Sequence, residues 1–178
     1  MNIFAVHSNP IISAQYLVDK HIVKMVLETA QLLSTAHRII DGEEYVGTSK
    51  SGRKAKRWLL PDDREHHLYS ATHINHPSAV WARATNNNYT WLACHFGALL
   101  TEYTYRYGKH HKCEDMVIWL QYPPHKIPVG YLTPVTPAMP DEYKVPGDSV
   151  ASYRNYYRIA KERMHKWTKR EPPEWINA

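Results

Sequence analysis

The sequence predicts an all-α fold: a single compact domain over residues 1–178, with about three main helices packed crosswise, long irregular connections and an extended N-terminal arm. Three observations carry that reading. The segment Leu17–Arg38 holds no proline or glycine and many good helix formers. Tyr89–Tyr107 and the stretch from Asp148 onward repeat apolar residues at helical spacing. Residues 41–77 and 108–147 read as largely irregular insertions, so no substantial sheet is expected. A chain of 178 residues is long enough for a sizeable core.

In order, Met1–Val6 is a short apolar run expected to insert into the body as an arm. His7-Ser8-Asn9-Pro10 is a helix-start signal, with Asn9 as cap and Pro10 at the first helical position. The main helix should run to about Ile40 and stop at Asp41-Gly42. Lys50, Arg53, Lys54, Lys56 and Arg57 then crowd around Gly52 without an acid, which suggests a mobile basic loop. Lys54 and Arg57 are its candidate phosphate contacts; a loop merely solvated by lysine is the competing reading. Asn75-His76-Pro77 sets up a second helix start, and a break is expected at Asn86-Asn87-Asn88 before the helix that Gly108 closes. Residues 109–147 offer a helical turn or two at Met116–Leu120. The last helix should begin at Asp148-Ser149 and end before Glu171, with Tyr153, Tyr157, Ala160, Met164 and Trp167 inward. From residue 150 to 170 seven Lys/Arg face one acid, Glu162, so Arg154, Arg158 and Lys161 are further candidates for holding a nucleic-acid backbone.

The first long helix inverts the usual amphipathic pattern. Ile22, Val23, Met25, Val26, Leu27, Ala30, Leu32 and Leu33 cover most of its circumference, while His21, Lys24, Glu28, Gln31 and Thr35 form one narrow polar line. A core helix with one polar line must pair those groups or line a wet cleft, because a buried unpaired charge is expensive. Lys24 and Glu28 sit four residues apart and His21 lies two turns from Glu28, a set suited to proton transfer. A surface Lys–Glu pair beside a capping histidine fits the same spacing.

Net charge of +5 points to a polyanionic partner. Six Trp and thirteen Tyr against two Phe supply amphipathic aromatics, which suit base stacking as well as cores with one wet end. No eighteen-residue apolar run and no signal-peptide pattern appear, so a cytoplasmic protein off the membrane is expected. Two cysteines, Cys94 and Cys113, make no disulfide framework. His73-x2-His76 and His110-His111-Lys112-Cys113 miss the standard paired metal spacings, so neither a metal nor another cofactor is expected.

Leu17, Asp19, His21 and Glu28, with six residues between the histidine and the glutamate, resemble the N-terminal helix pattern of the phage pyrimidine-dimer DNA glycosylase family. Met139-Pro140-Asp141-Glu142-Tyr143-Lys144 is similar to that family's turn before its last helix, and Pro173-Glu174-Trp175 to its Pro-x-Trp. The resemblance implies an all-α fold and a site where the N-terminal arm meets the first helix. It implies that Glu28 is the catalytic carboxylate, that the α-amine of the first residue attacks the sugar C1′, and that His21 orients groups or contacts substrate. Asn2, Asp19, Lys20, Gln31 and His76 are the accompanying candidates for substrate contact. Double-stranded DNA with a flipped nucleotide is the implied partner of a monomer.

The sequence departs from the family at three places. Residue 2 is Asn where the family exposes Thr, so Met1 is expected to stay and Lys24 or Lys20 to be an alternative amine. Leu27 stands where the family has Arg before the catalytic Glu, and the tail after Trp175 is reduced to Ile176-Asn177-Ala178. The expected activity is therefore that of a DNA glycosylase, with or without strand cleavage, on a damaged or modified pyrimidine. A transferase modifying a substituted pyrimidine in viral DNA, and a non-catalytic DNA-binding protein, are the alternatives.

Overall fold

The computed structural model describes residues 1–48 and 51–177; the basic candidate Lys50 lies outside them. Asn9 caps α1 (Pro10–Tyr16) through its side-chain oxygen, which accepts from the amides of Ile11 and Ile12. The chain then leaves helical geometry at Leu17 and Val18, because the Val18 amide is drawn to the Tyr157 hydroxyl at 2.8 Å. The main helix, α2 (Asp19–Asp41), therefore starts two residues later than the sequence suggests and ends as expected at Gly42. A Cβ at Gly42 would collide with the Arg38 carbonyl and crowd Trp58.

Residues 43–48 and 54–59 correct the expectation of a basic loop. They form an antiparallel hairpin, β1 (Glu43–Thr48) and β2 (Lys54–Leu59), in which Glu43 opposes Leu59 and Thr48 opposes Lys54. Tyr45, Val46, Thr48, Trp58 and Leu59 favour strands, and Gly52, at φ +79°, makes the reversal. The following segment, with its short helix α3 (Arg64–His67), is also ordered rather than irregular. Arg38 on α2 donates to the carbonyls of Trp58, Glu65, Leu68 and Tyr69 and to the Glu65 carboxylate. Arg64 returns the tie by pairing with Asp41 at 2.6 Å.

His76 caps α4 (Pro77–Ala82), and Thr85 caps α5 (Asn86–Tyr107). The break thus falls at Arg83–Thr85, and the three asparagines open the next helix instead of interrupting one. Their side chains face residues 128–133, which is why they are tolerated there: Asn88 bonds the Trp81 carbonyl and both the amide and hydroxyl of Thr133. A 3-10 turn (Glu114–Met116) leads into α6 (Val117–Leu120).

The last helix, α7 (Ser149–Ala160), is about half the expected length. Beyond Lys161 the chain is drawn onto α2 instead: the Lys166 carbonyl accepts from the Asp19 amide, and Thr168 bonds the Asp19 carboxylate through amide and hydroxyl. Tyr153 and Tyr157 are buried as their spacing predicts, whereas Ala160 is exposed. Helix makes up 51% and strand 8% of the chain, so the fold is mostly helical with one small hairpin. α5 packs against α1 and α2, and a single cluster of buried residues runs from Ile3 and Val6 of the arm to Tyr157 of α7.

Candidate active site

The arm is what brings the site together. Ile3, Ala5 and Val6 are almost wholly buried, and this anchorage fixes the residues before them against α2. The Asn2 amide donates to Glu28 Oε2 at 3.0 Å, and the α-amine of Met1 lies 3.9 Å from the same oxygen. The Asn2 side chain donates to the Ala138 carbonyl at 2.8 Å and accepts from the Ile3 amide, so its position is set from two sides. Lys24 Nζ reaches Glu28 Oε1 at 3.3 Å, one turn back along the helix. The Glu28 side chain is 14% exposed, which leaves the carboxylate open to a ligand while two nitrogens and an ammonium orient it. Lys24 is 64% exposed, so it stands at the rim of the site with its ammonium turned toward Glu28.

His76, at the N-terminus of α4, completes this wall. Burial, followed by the positive charge of the Met1 amine, holds its pKa below the ordinary histidine value, while Glu28 pulls the other way. Its Nδ1 accepts from the Ser78 amide, so the neutral ring carries its proton on Nε2. Amine, carboxylate and neutral imidazole therefore share one electrostatic neighbourhood at the mouth of the arm.

His21 sits deeper. It stacks on Phe4 with ring centroids 4.3 Å apart, and its Nδ1 meets the Tyr157 hydroxyl at 2.8 Å. That hydroxyl accepts from the Val18 amide, and its own buried proton has His21 Nδ1 as its acceptor, which puts the imidazole proton on Nε2. Burial, with Lys161 and Lys24 nearby, pushes the His21 pKa down to about 3. His21 is thus a neutral ring that joins the arm to α7.

The other candidates divide. Gln31 is half-buried one turn beyond Glu28, and Lys20 is exposed. Asp19 is engaged inside the fold, accepting from Arg106 at 3.0 Å and twice from Thr168. Lys54 and Arg57 lie on β2, at the far end of α2 from Glu28; thirteen residues of helix put that end about 20 Å away along the axis. Arg154 donates to the Val6 carbonyl at 2.9 Å and lies over the Trp175 ring, so it clamps the arm. Lys161 lies over Tyr156, and Arg158 contacts Asn155. The family-like turn (Asp141–Tyr143) stands next to the site, with Tyr143 against Tyr156 and the arm's partner Ala138 just before it.

Sequence reasoning missed the Ala138 carbonyl, the Tyr157 hydroxyl and Arg106. The helical spacing of Tyr153 and Tyr157 signals burial but not the histidine partner, and a backbone carbonyl carries no signal in a sequence. Among the described residues no cluster of His, Cys, Asp and Glu has the makings of a metal site, and no helix is long and apolar enough to cross a membrane.

A family model described as pyrimidine dimer DNA glycosylase matches residues 1–115. That stretch includes the arm, Glu28 and His76, whereas Ala138, Tyr157 and Thr168 close on the site from beyond it. No curated protein and no solved structure matches the chain.

Proposed function

The chain belongs to the pyrimidine dimer DNA glycosylase family, and on that premise we propose that it excises a damaged or modified pyrimidine from duplex DNA with an amine nucleophile and Glu28. The observation that carries this reading is the α-amine of Met1 held 3.9 Å from the Glu28 carboxylate. An α-amine is less basic than a lysine ammonium, so more of it is available as a neutral nucleophile near neutral pH.

In the proposed reaction the target nucleotide is flipped from the stack so that its C1′ meets the amine. The amine lone pair forms a bond to C1′ as the C1′–N bond breaks, and that bond's electrons leave with the base, which takes up a proton. Loss of a proton from the new C1′–N link and opening of C1′–O4′ give a Schiff base. Glu28 stabilises the positive charge that develops on the sugar and serves as proton acceptor. Removal of a C2′ proton then expels the 3′-phosphate by β-elimination, and water releases the enzyme from the imine. His76 supports the amine from the α4 side. His21 acts through Phe4 and Tyr157, holding the arm in register. Asn2 and Gln31 flank Glu28 as substrate contacts, while Lys20 and Lys24 offer charge to the phosphates beside them. Lys54, Arg57, Arg158 and Lys161 extend the contact along the duplex.

Leu27, at the position before Glu28, supports a substrate other than the family's dimer, with a modified pyrimidine favoured. Borohydride trapping tests the reading on duplexes bearing an abasic site, a pyrimidine dimer or a 5-substituted pyrimidine. An adduct mapped to Met1 is expected; one on Lys24 would move the amine but keep the chemistry. Intact DNA binding with no adduct on any duplex overturns it, and new mass on an intact base would instead identify a transferase.

A further inference from the structure

Residues 128–133 form a loop whose backbone is fastened and whose side chains are free. The Pro128 carbonyl accepts from the Asn86 amide at 2.9 Å, and the Gly130 amide donates to the Asn86 side chain at 3.0 Å. Asn87 donates to the Gly130 carbonyl, and Thr85 donates to the Tyr131 carbonyl. Thr133 is held by Asn88 and by the Trp81 indole. Gly130 lies so flat on Thr85 that a Cβ would come within 2.7 Å of its methyl group, so no other residue fits without moving the loop. From this base Val129 and Tyr131 project 90% exposed, and Leu132 51% exposed. Large apolar side chains presented this openly on a rigid backbone are preorganised to be covered by something else.

The surroundings identify the cover. Residues 116–140 contain no Asp or Glu, while His125 and Lys126 lie on the approach to the loop. Arg83, two residues before Thr85, has a buried guanidinium nitrogen with no hydrogen-bond partner among the described residues, and burial alone lowers its pKa. Asp148 also lines the cavity that Leu132 borders, but Val129 and Tyr131 stand on an acid-free stretch of chain, which fits a polyanion with an apolar interior such as a base-paired duplex. The loop also meets the N-terminal segment that carries Asn2. Leu132 and Thr133 share the wall of a cavity of about 340 Å³ with Ala5 and His7 of the arm, and Ala5 is three residues from Asn2. Three extended residues span at most about 11 Å.

We propose that Val129, Tyr131 and Leu132 form a wedge that enters the base stack of duplex DNA close to the target nucleotide, separating the bases so that the target leaves the helix. The inference rests on the glycosylase reading for its target but on the loop for its mechanics. The backbone that carries the wedge is already held by Thr85, Asn86 and Asn87, so little backbone freedom is lost on insertion.

The test uses the double variant V129S/Y131S, whose changes are at exposed positions and leave the core and the Asn86–Asn88 bonds intact. Two substrates carry the same target, one in a fully paired duplex and one in a bubble where it is already unstacked. The variant should lose about tenfold or more in turnover on the paired duplex and match the wild type on the bubble. In parallel, 2-aminopurine placed beside the target should brighten when the wild type binds and stay dark with the variant. Equal loss on both substrates, or no loss on either, overturns the wedge while leaving the glycosylase reading standing. Wild-type protein that cleaves nothing but still brightens 2-aminopurine would sink the glycosylase and keep the wedge. DNA binding by the wild type without brightening overturns the wedge outright, and leaves the loop to a protein partner.

Discussion

The Asn2 amide nitrogen, and not the Met1 amine, occupies the hydrogen-bonding position on Glu28: 3.0 Å against 3.9 Å to the same oxygen. Cleavage of the Met1–Asn2 peptide bond would therefore turn a nitrogen already on Glu28 into an amine without moving the chain. A protein that starts at Asn2 should trap on an abasic duplex at least as fast as one that keeps Met1. Blocking either amine by acetylation should slow trapping by about 10²-fold or more. Unchanged trapping after complete acetylation of the α-amine would transfer the role to a lysine.

Glu28→Gln removes the charge and keeps the shape. Turnover should fall by about 10²–10⁴-fold while affinity for the substrate duplex stays within about threefold, since every phosphate-binding group and the Asn2 hydrogen bond remain in the variant. Single-turnover kinetics beside fluorescence anisotropy read the two separately. A parallel fall in both would make the carboxylate a strut for the arm.

Three buried histidines set the acid limit of the fold. Burial pushes His21 down to about 3 and His37 and His95 to about 4, against 6.5 in the unfolded chain. Since their folded pKa values lie below the unfolded ones, the unfolded state binds more protons at intermediate pH. Their stabilisation is complete above about 6.5 and is lost as pH falls toward 4, by up to about 1.4 kcal/mol per pH unit for each histidine. Urea titrations between pH 7 and 4.5 should show it, and His37→Gln should flatten the slope.

Arg106 is fully buried and ties Glu102, Asp19 and the carbonyls of Gln15 and Leu17 together. Replacing it with Met should cost roughly 3–5 kcal/mol, because two carboxylates lose their buried counter-charge. Arg170 retains a pair with Glu102, so Asp19 bears most of the loss. A denaturation midpoint within error of the wild type would show that water can replace the guanidinium.

The hairpin and the last helix carry different kinds of basic residue. Lys54→Ala with Arg57→Ala should lower the salt dependence of binding by about one logarithmic unit for each phosphate that is no longer neutralised, with no change in melting temperature. Arg154→Met should act the other way, loosening the arm and slowing turnover with little effect on the salt slope. Binding measured from 50 to 300 mM salt decides between them.

Much of this architecture is legible in the sequence because it is local. The inverted polar line on α2 predicts a core helix with Glu28 at its open side, and Asn9-Pro10 and Asp148 announce their helix starts. What is illegible depends on distant partners. The basic run 53–57 reads as a loop because its lysines mask the strand formers around them, and the hairpin becomes evident once Arg38 and Arg64 are seen tying the chain that follows it. The last helix looks long because its aromatic spacing continues past Ala160, yet Asp19 claims Thr168 and ends it. Asn86–Asn88 read as a break because asparagine disfavours helix interiors, and the loop they hold is more than forty residues away.

The arm is sewn to the second half of the protein: Asn2 to Ala138, Phe4 to Tyr157, Val6 to Arg154. In synthesis from the N-terminus, the residues that emerge first are among the last to find their places. Glu28 and His76 emerge early, but the contacts that fix the arm from residues 138–157 form only when nearly the whole polypeptide has been made, so the amine is not locked in place before then. Contacts of such long sequence separation also slow folding, and a bulky tag ahead of Met1 would have to be accommodated where the chain closes on itself.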